Sequence, residues 1–240
     1  MRRDSYSVNT RWYLDVNALA RHSSWAHGVM TFYSHLFGLG LLALLLLAAW
    51  WRARSGVFPA RAVAAVLWAA GGTAAAWVVA HYVLKPAVSE PRPYLVLAHV
   101  EVLLSRSRGF SFPSGHATIA GAVLTGLWMA RRWIAAAVAT VLGLLLSFGR
   151  IYTGMHYPFD VLGGLAFGAA FVAILWPAAV AALSRWNRFL LATRFAPLVA
   201  ASSAAAAPAS AADPVAGGAC LCPEHGIGQA ERGISDTPPL

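Results

Sequence analysis

Apolar residues in this chain come in long runs, and polar residues gather where those runs end. The first run, Val29 to Trp51, is centred on Leu39 to Ala49 and closed by Arg52, Arg54, Gly56 and Pro59. The second, Ala60 to Leu84, is rich in alanine, and its Gly71 and Gly72 are small enough for helices to approach closely. Pro86 is expected to end it by removing a backbone donor. Ser114 to Ala130, Trp133 to about Gly149, and Asp160 to Leu183 complete the set. The two shortest have some 17 residues, about 25 Å of helix, enough to cross the hydrocarbon with flanking residues. Pro93 to Gly109 carries His99, Glu101, Arg106 and Arg108. It is too polar to span and belongs at the surface or over a site. Trp12 to Met30 mixes apolar and charged positions, as an interfacial helix or a polar lead-in to the first span would. The pattern predicts an all-α, polytopic membrane bundle of about five transmembrane helices.

Composition agrees. Hydrophobic residues make up 59% of the 240 and charged residues 11%, where a soluble domain carries about 25% charged. The net charge of +9 does not point to nucleic acid. The arginines form no basic domain; they sit at span ends, where they meet anionic headgroups and set topology. Four regions follow: a polar and interfacial segment (1–28), a membrane domain (29–183), an interfacial segment (184–199) and a tail (200–240). The tail is dominated by alanine, proline, serine and glycine at first and cannot build a core. Cys220 and Cys222, the only cysteines, lie there beside His225. Three candidate ligands in such a tail do not make a metal site. No cleavable leader is evident, so the first run is expected to act as an uncleaved insertion signal.

Five spans put the chain ends on opposite sides. One side holds Arg52, Arg54, Arg61, Arg131, Arg132, Arg185, Arg188 and Arg194, with no acid before Asp213. The other holds the N-terminus, more acids, and all the polar clusters described next. The positive-inside rule makes the first side cytoplasmic. The clusters then face the periplasm or exterior, and the tail is cytoplasmic.

Three clusters carry the candidate chemistry. They are Lys85 to Pro93, Pro113-Ser114-Gly115-His116, and Arg150 to Asp160. Charge in hydrocarbon is costly, so each belongs at an interface or in a wet cavity. Their placement on one side is what joins them. Ser114 can cap the third span, whose free N–H groups suit an anion. His156 and Asp160 are four apart, so a helix starting near Tyr157 lets the carboxylate hold one imidazole nitrogen and free the other. Arg150 can offer a bidentate fork to phosphoryl oxygens. Lys85 and Arg92 flank a stretch stiffened by Pro86, Pro91 and Pro93. Each feature also has a bland reading: a helix cap, interfacial pairing, or snorkelling. Together they describe an anion site with two histidines.

These clusters closely match a known pattern. The chain resembles the type 2 phosphatidic acid phosphatase superfamily, membrane lipid phosphatases related to vanadium-dependent haloperoxidases. That pattern runs lysine, six residues, arginine-proline; then proline-serine-glycine-histidine; then serine-arginine, five residues, histidine, three residues, aspartate. Lys85, Arg92-Pro93, Pro113 to His116, Arg150, His156 and Asp160 fit it, over a resemblance covering roughly residues 12 to 183. Gly149 stands where serine is usual, which removes one supporting phosphate ligand. Restoring serine there is expected to leave the rate unchanged or raise it.

The resemblance implies roles. His156 is the nucleophile that becomes phosphohistidine, Asp160 orients it, and His116 is the general acid and then base. Lys85, Arg92, Ser114, Gly115 and Arg150 bind the phosphoryl oxygens. No cofactor or metal is implied. The expected partners are the bilayer and a membrane lipid phosphate, in a bacterial cytoplasmic membrane. Oligomeric state is not readable. The resemblance to small bacterial members points to undecaprenyl pyrophosphate as substrate, in the recycling of the peptidoglycan lipid carrier. The alternatives are a phosphatidylglycerophosphate or phosphatidic acid phosphatase, and a non-catalytic lipid-binding or transport protein on the same scaffold.

Overall fold

The computed structural model describes residues 7–107 and 109–201. The tail with Cys220 and Cys222 lies outside the described residues, as does Arg108. Every regular element among the described residues is helical. In chain order the α-helices are α1 (Val8–His22), α2 (His27–Phe32), α3 (Gly38–Ala53), α4 (Pro59–Val79), α5 (Lys85–Val88), α6 (Pro93–Val96), α7 (Gly115–Met129), α8 (Trp133–Tyr152), α9 (Pro158–Leu191) and α10 (Ala196–Val199).

Among the described residues, four helical stretches are long and apolar enough to cross a membrane: Ser24–Ala53, Pro59–Val96, Trp133–Tyr152 and Pro158–Leu191. Their outward faces carry Leu44, Leu47, Val141, Leu144 and Ile174 in the open. Such exposure is affordable only where the solvent is lipid. The fifth expected span is α7, whose 15 residues make it the short one. It is also enclosed, packing on α4, α8 and α9.

The α7–α9 contact is made backbone to backbone. A Cβ on Gly121 would lie 2.2 Å from the Leu165 carbonyl oxygen, and one on Gly168 would lie 2.1 Å from that of Thr118. Only hydrogen fits in such gaps. Of the two positions expected to serve close packing, Gly71 does not, since nothing lies within 4 Å of a Cβ there; buried Gly72 makes room for the Trp68 ring, which a Cβ would approach to 3.0 Å.

Two π-helical turns interrupt the spans, at Tyr33–Phe37 and Ala80–Leu84. The second explains why Pro86 does not end its helix. The register has already slipped by one, and the chain continues through α5 until Ser89 enters the left-handed region at φ 54°. Helix α9 likewise runs on for 34 residues, past Leu183, where the span was expected to end. Its far portion is fastened to α4 by Asn187, which donates to the Ala60 carbonyl at 2.9 Å.

Helix α1 lies across one end of the bundle and clamps the irregular segment after α6. Asn17 donates to the Glu101 carbonyl at 2.8 Å and accepts the Glu101 N–H at 2.9 Å. Tyr13 donates to the Gly154 carbonyl at 3.3 Å. Gly154 has φ +80°, and a Cβ there would strike the Glu101 carbonyl, so this turn requires glycine. At the opposite end, one cleft is lined by Arg52, Arg131 and Arg132, and another by Arg61, Arg185 and Arg188.

Candidate active site

Each cluster residue sits where a helix starts or stops, at the end of the bundle that α1 covers. Lys85 follows the second π turn, Arg92 precedes α6, and Ser114 is the N-cap of α7, with Gly115 and His116 in its first turn. Arg150 is in the last turn of α8, His156 in the link to α9, and Asp160 in the first turn of α9.

The histidine and carboxylate pair is buried. His156 is 2% exposed and Asp160 0%, with Nδ1 and Oδ2 3.5 Å apart. The same Oδ2 accepts the Tyr157 N–H at 2.8 Å and the Ser111 hydroxyl. One carboxylate therefore caps α9 and orients the imidazole. The other ring nitrogen, Nε2, faces Arg92 Nη1 at 3.4 Å. Burial pushes the His156 pKa down to about 3; Asp160 pulls against this, and Arg92 and Arg150 add to it. The ring is thus neutral at physiological pH, and Nε2 keeps its lone pair.

This depression has a consequence for stability. An unfolded histidine binds a proton near pH 6.5; folded His156 does so only far below. As pH falls below 6.5 the unfolded chain holds more protons, so stability falls with it. The melting temperature of detergent-solubilised protein should drop between pH 7 and pH 4.5. His156→Gln should flatten that part of the curve. An equally steep curve for the variant would assign the slope to other groups.

Three cations surround the pair. Lys85, Arg92 and Arg150 are 7%, 6% and 6% exposed. Lys85 Nζ donates to the carbonyls of Phe110 and Ser111 at 2.9 and 3.3 Å. Arg92 donates to those of Gly109 at 2.8 Å and Met155 at 3.1 Å, and Arg150 Nη1 to that of Ser34 at 3.1 Å. Lys85 feels both arginines, with Asp160 opposing them, and Glu90 lies within electrostatic range of Asp160. Three buried cations against these two carboxyls leave an excess of positive charge, which an anion would balance. Arg150 Nε and the Ser114 hydroxyl are also buried with no protein partner. Ser114 is thus the N-cap by position, but its side chain makes no capping hydrogen bond.

His116 sits apart from the pair. Its Nε2 lies 3.0 Å from the His35 carbonyl oxygen, and Arg150 and Arg92 act on it electrostatically. The structure therefore gathers all eight motif residues at one end of the bundle and sets both Asp160 and Arg92 against His156. It adds residues the sequence reading passed over. Ser111 bonds Asp160, and the Ser34-His35 dipeptide supplies carbonyls to Arg150 and His116. The available signal was polarity in the wrong place: Ser34 and His35 interrupt the first apolar run, where a polar residue is functional by default.

Residues 62–184 match the family model described as the PAP2 superfamily. Undecaprenyl-diphosphatase BcrC of Bacillus subtilis is 33% identical over 159 residues, which is 66% of this chain and 77% of that protein. A lipid A 1-phosphatase of Rhizobium johnstonii is 44% identical over 62 residues, 25% of each chain. The crystal structure of Aquifex aeolicus LpxE shares the fold with a TM-score of 0.55 at 23% identity, over 74% of this chain and 99% of that one.

Proposed function

We propose that this chain, which belongs to the PAP2 superfamily, hydrolyses undecaprenyl diphosphate to undecaprenyl phosphate and inorganic phosphate. The family match itself makes the chain a PAP2-family membrane phosphatase. The chemistry rests on one observation: a buried imidazole whose Nδ1 lies 3.5 Å from Asp160 while Nε2 faces Arg92.

In the proposed reaction His156 Nε2 attacks the terminal phosphorus in line, and the bond from phosphorus to the bridging oxygen breaks. Asp160 stabilises the imidazolium that forms on His156, and His116, which must enter this step protonated, gives the leaving oxygen its proton. Water then attacks the phosphohistidine, His116 takes a proton from it, and His156 is released with inorganic phosphate. Lys85, Arg92, Arg150, the Ser114 hydroxyl and the Gly115 N–H hold the phosphoryl oxygens while charge shifts.

The choice of substrate rests on the likeness to the Bacillus subtilis undecaprenyl-diphosphatase, which extends over most of that protein. We place the site on the periplasmic or outer face of a bacterial cytoplasmic membrane, because the opposite end carries the two arginine-lined clefts.

The test is purified protein in detergent, without added metal, given undecaprenyl diphosphate, phosphatidylglycerophosphate, phosphatidic acid and lipid A. Phosphate should be released fastest from undecaprenyl diphosphate. Equal or faster release from another lipid would overturn the substrate. No release from any would overturn the enzyme reading.

A further inference from the structure

We propose that Ser34 is a phosphate ligand, its hydroxyl replacing from the first span the one that Gly149 lacks. This deepens the phosphatase reading and rests on it. The first π turn sets the geometry. The Gly38 N–H reaches back to the Tyr33 carbonyl, so the Ser34 carbonyl loses its regular helical donor. Arg150 takes it instead, at 3.1 Å. The next carbonyl, of His35, holds His116 at 3.0 Å. Two successive residues of this turn therefore fasten a phosphate-binding arginine and the proposed acid.

Ser34 is 0% exposed, and its Oγ is buried with no protein partner. Leaving a buried hydroxyl unpaired is unfavourable, and a phosphoryl oxygen would supply the missing partner. The side chain also stands where a residue 149 side chain would go. A Cβ on Gly149 would lie 2.9 Å from Ser34 Cβ and 3.8 Å from Ser34 Oγ. Positions 34 and 149 share one space, and only one of them can fill it. Serine at 149 is therefore not the harmless restoration that the sequence suggests, because Ser34 already occupies its place.

The test is a reciprocal exchange in the full chain, solubilised in detergent. Ser34→Ala should lower kcat/KM by roughly 10- to 100-fold, the value of a hydrogen bond to a charged group. Gly149→Ser alone should also lose activity, by crowding. The double variant Ser34→Gly with Gly149→Ser should outperform Gly149→Ser alone. Inorganic phosphate is the second probe: it should raise the melting temperature of wild type more than that of Ser34→Ala. Ser34→Ala with kcat/KM within about twofold of wild type and undiminished phosphate protection would overturn the proposal. So would a double variant no better than Gly149→Ser. Wild type as inactive as His156→Ala would instead sink the phosphatase reading, and the phosphate arm would then decide Ser34 alone.

Discussion

His156→Ala is expected to lower phosphate release by at least about 10³-fold, because it removes the attacking atom rather than tuning it. The expectation is sharper than a loss of activity. His156 bonds Asp160 and faces Arg92 but carries none of the three cations on its own. Lys85, Arg92 and Arg150 keep their backbone carbonyl partners on Phe110, Gly109 and Ser34 without it. Substrate affinity should therefore survive while turnover disappears. Radiolabelled substrate, quenched within milliseconds, should leave acid-labile phosphate on the wild-type protein and none on the variant. Activity in His156→Ala within about tenfold of wild type would remove this residue from the role of nucleophile.

The second large effect is structural. Gly168→Ala and Gly121→Ala each place a methyl about 2.1–2.2 Å from a carbonyl oxygen of the facing helix. No rotamer relieves that contact, because both partners are backbone. The helices must separate, and overpacking of a tight core typically costs about 1–3 kcal/mol, occasionally more. The separation would also displace Ser114 and Asp160, which lie on the same two helices and are joined by the Ser114 N–H to the Asp160 carbonyl at 2.9 Å. Both variants should melt well below wild type in detergent and lose activity together with stability. Gly71→Ala, where a Cβ meets nothing within 4 Å, is the control and should behave as wild type. A Gly168→Ala protein with unchanged melting temperature would show that the α7–α9 contact is looser than described.

The contrast between those glycines marks what the sequence could and could not reveal. Apolar runs and their polar ends placed the helices, since each is spelled by consecutive residues. The His156 and Asp160 pairing was legible for the same reason: four positions at a helix start fix the geometry. Gly71 and Gly121 look alike in composition. Which of them meets a neighbour depends on the rotation of one helix against another, which no local pattern encodes. Long-range contacts were hidden more deeply. Asn17 holds Glu101 across 84 positions, and Ser34 meets Arg150 across 116. The end of α9 was misplaced for a different reason. Arg185 and Arg188 signal an interface, but arginine is a good helix former, so the chain leaves the apolar zone without leaving the helix.

The π turn at Tyr33–Phe37 holds one residue more than a regular α-helix would use. Removing one residue from it would close the turn into ordinary geometry and leave the flanking helix near its present phase, whereas a deletion in the regular part of the span would rotate everything N-terminal to it by about 100°. Helix α1 and its Asn17 clamp lie on that N-terminal side. The surplus residue therefore acts as local slack, taken up by the wide turn without resetting which face of the N-terminal arm meets the bundle. Single-residue length changes should therefore be better tolerated at this turn than elsewhere in the span, at the cost of the carbonyl contacts to Arg150 and His116.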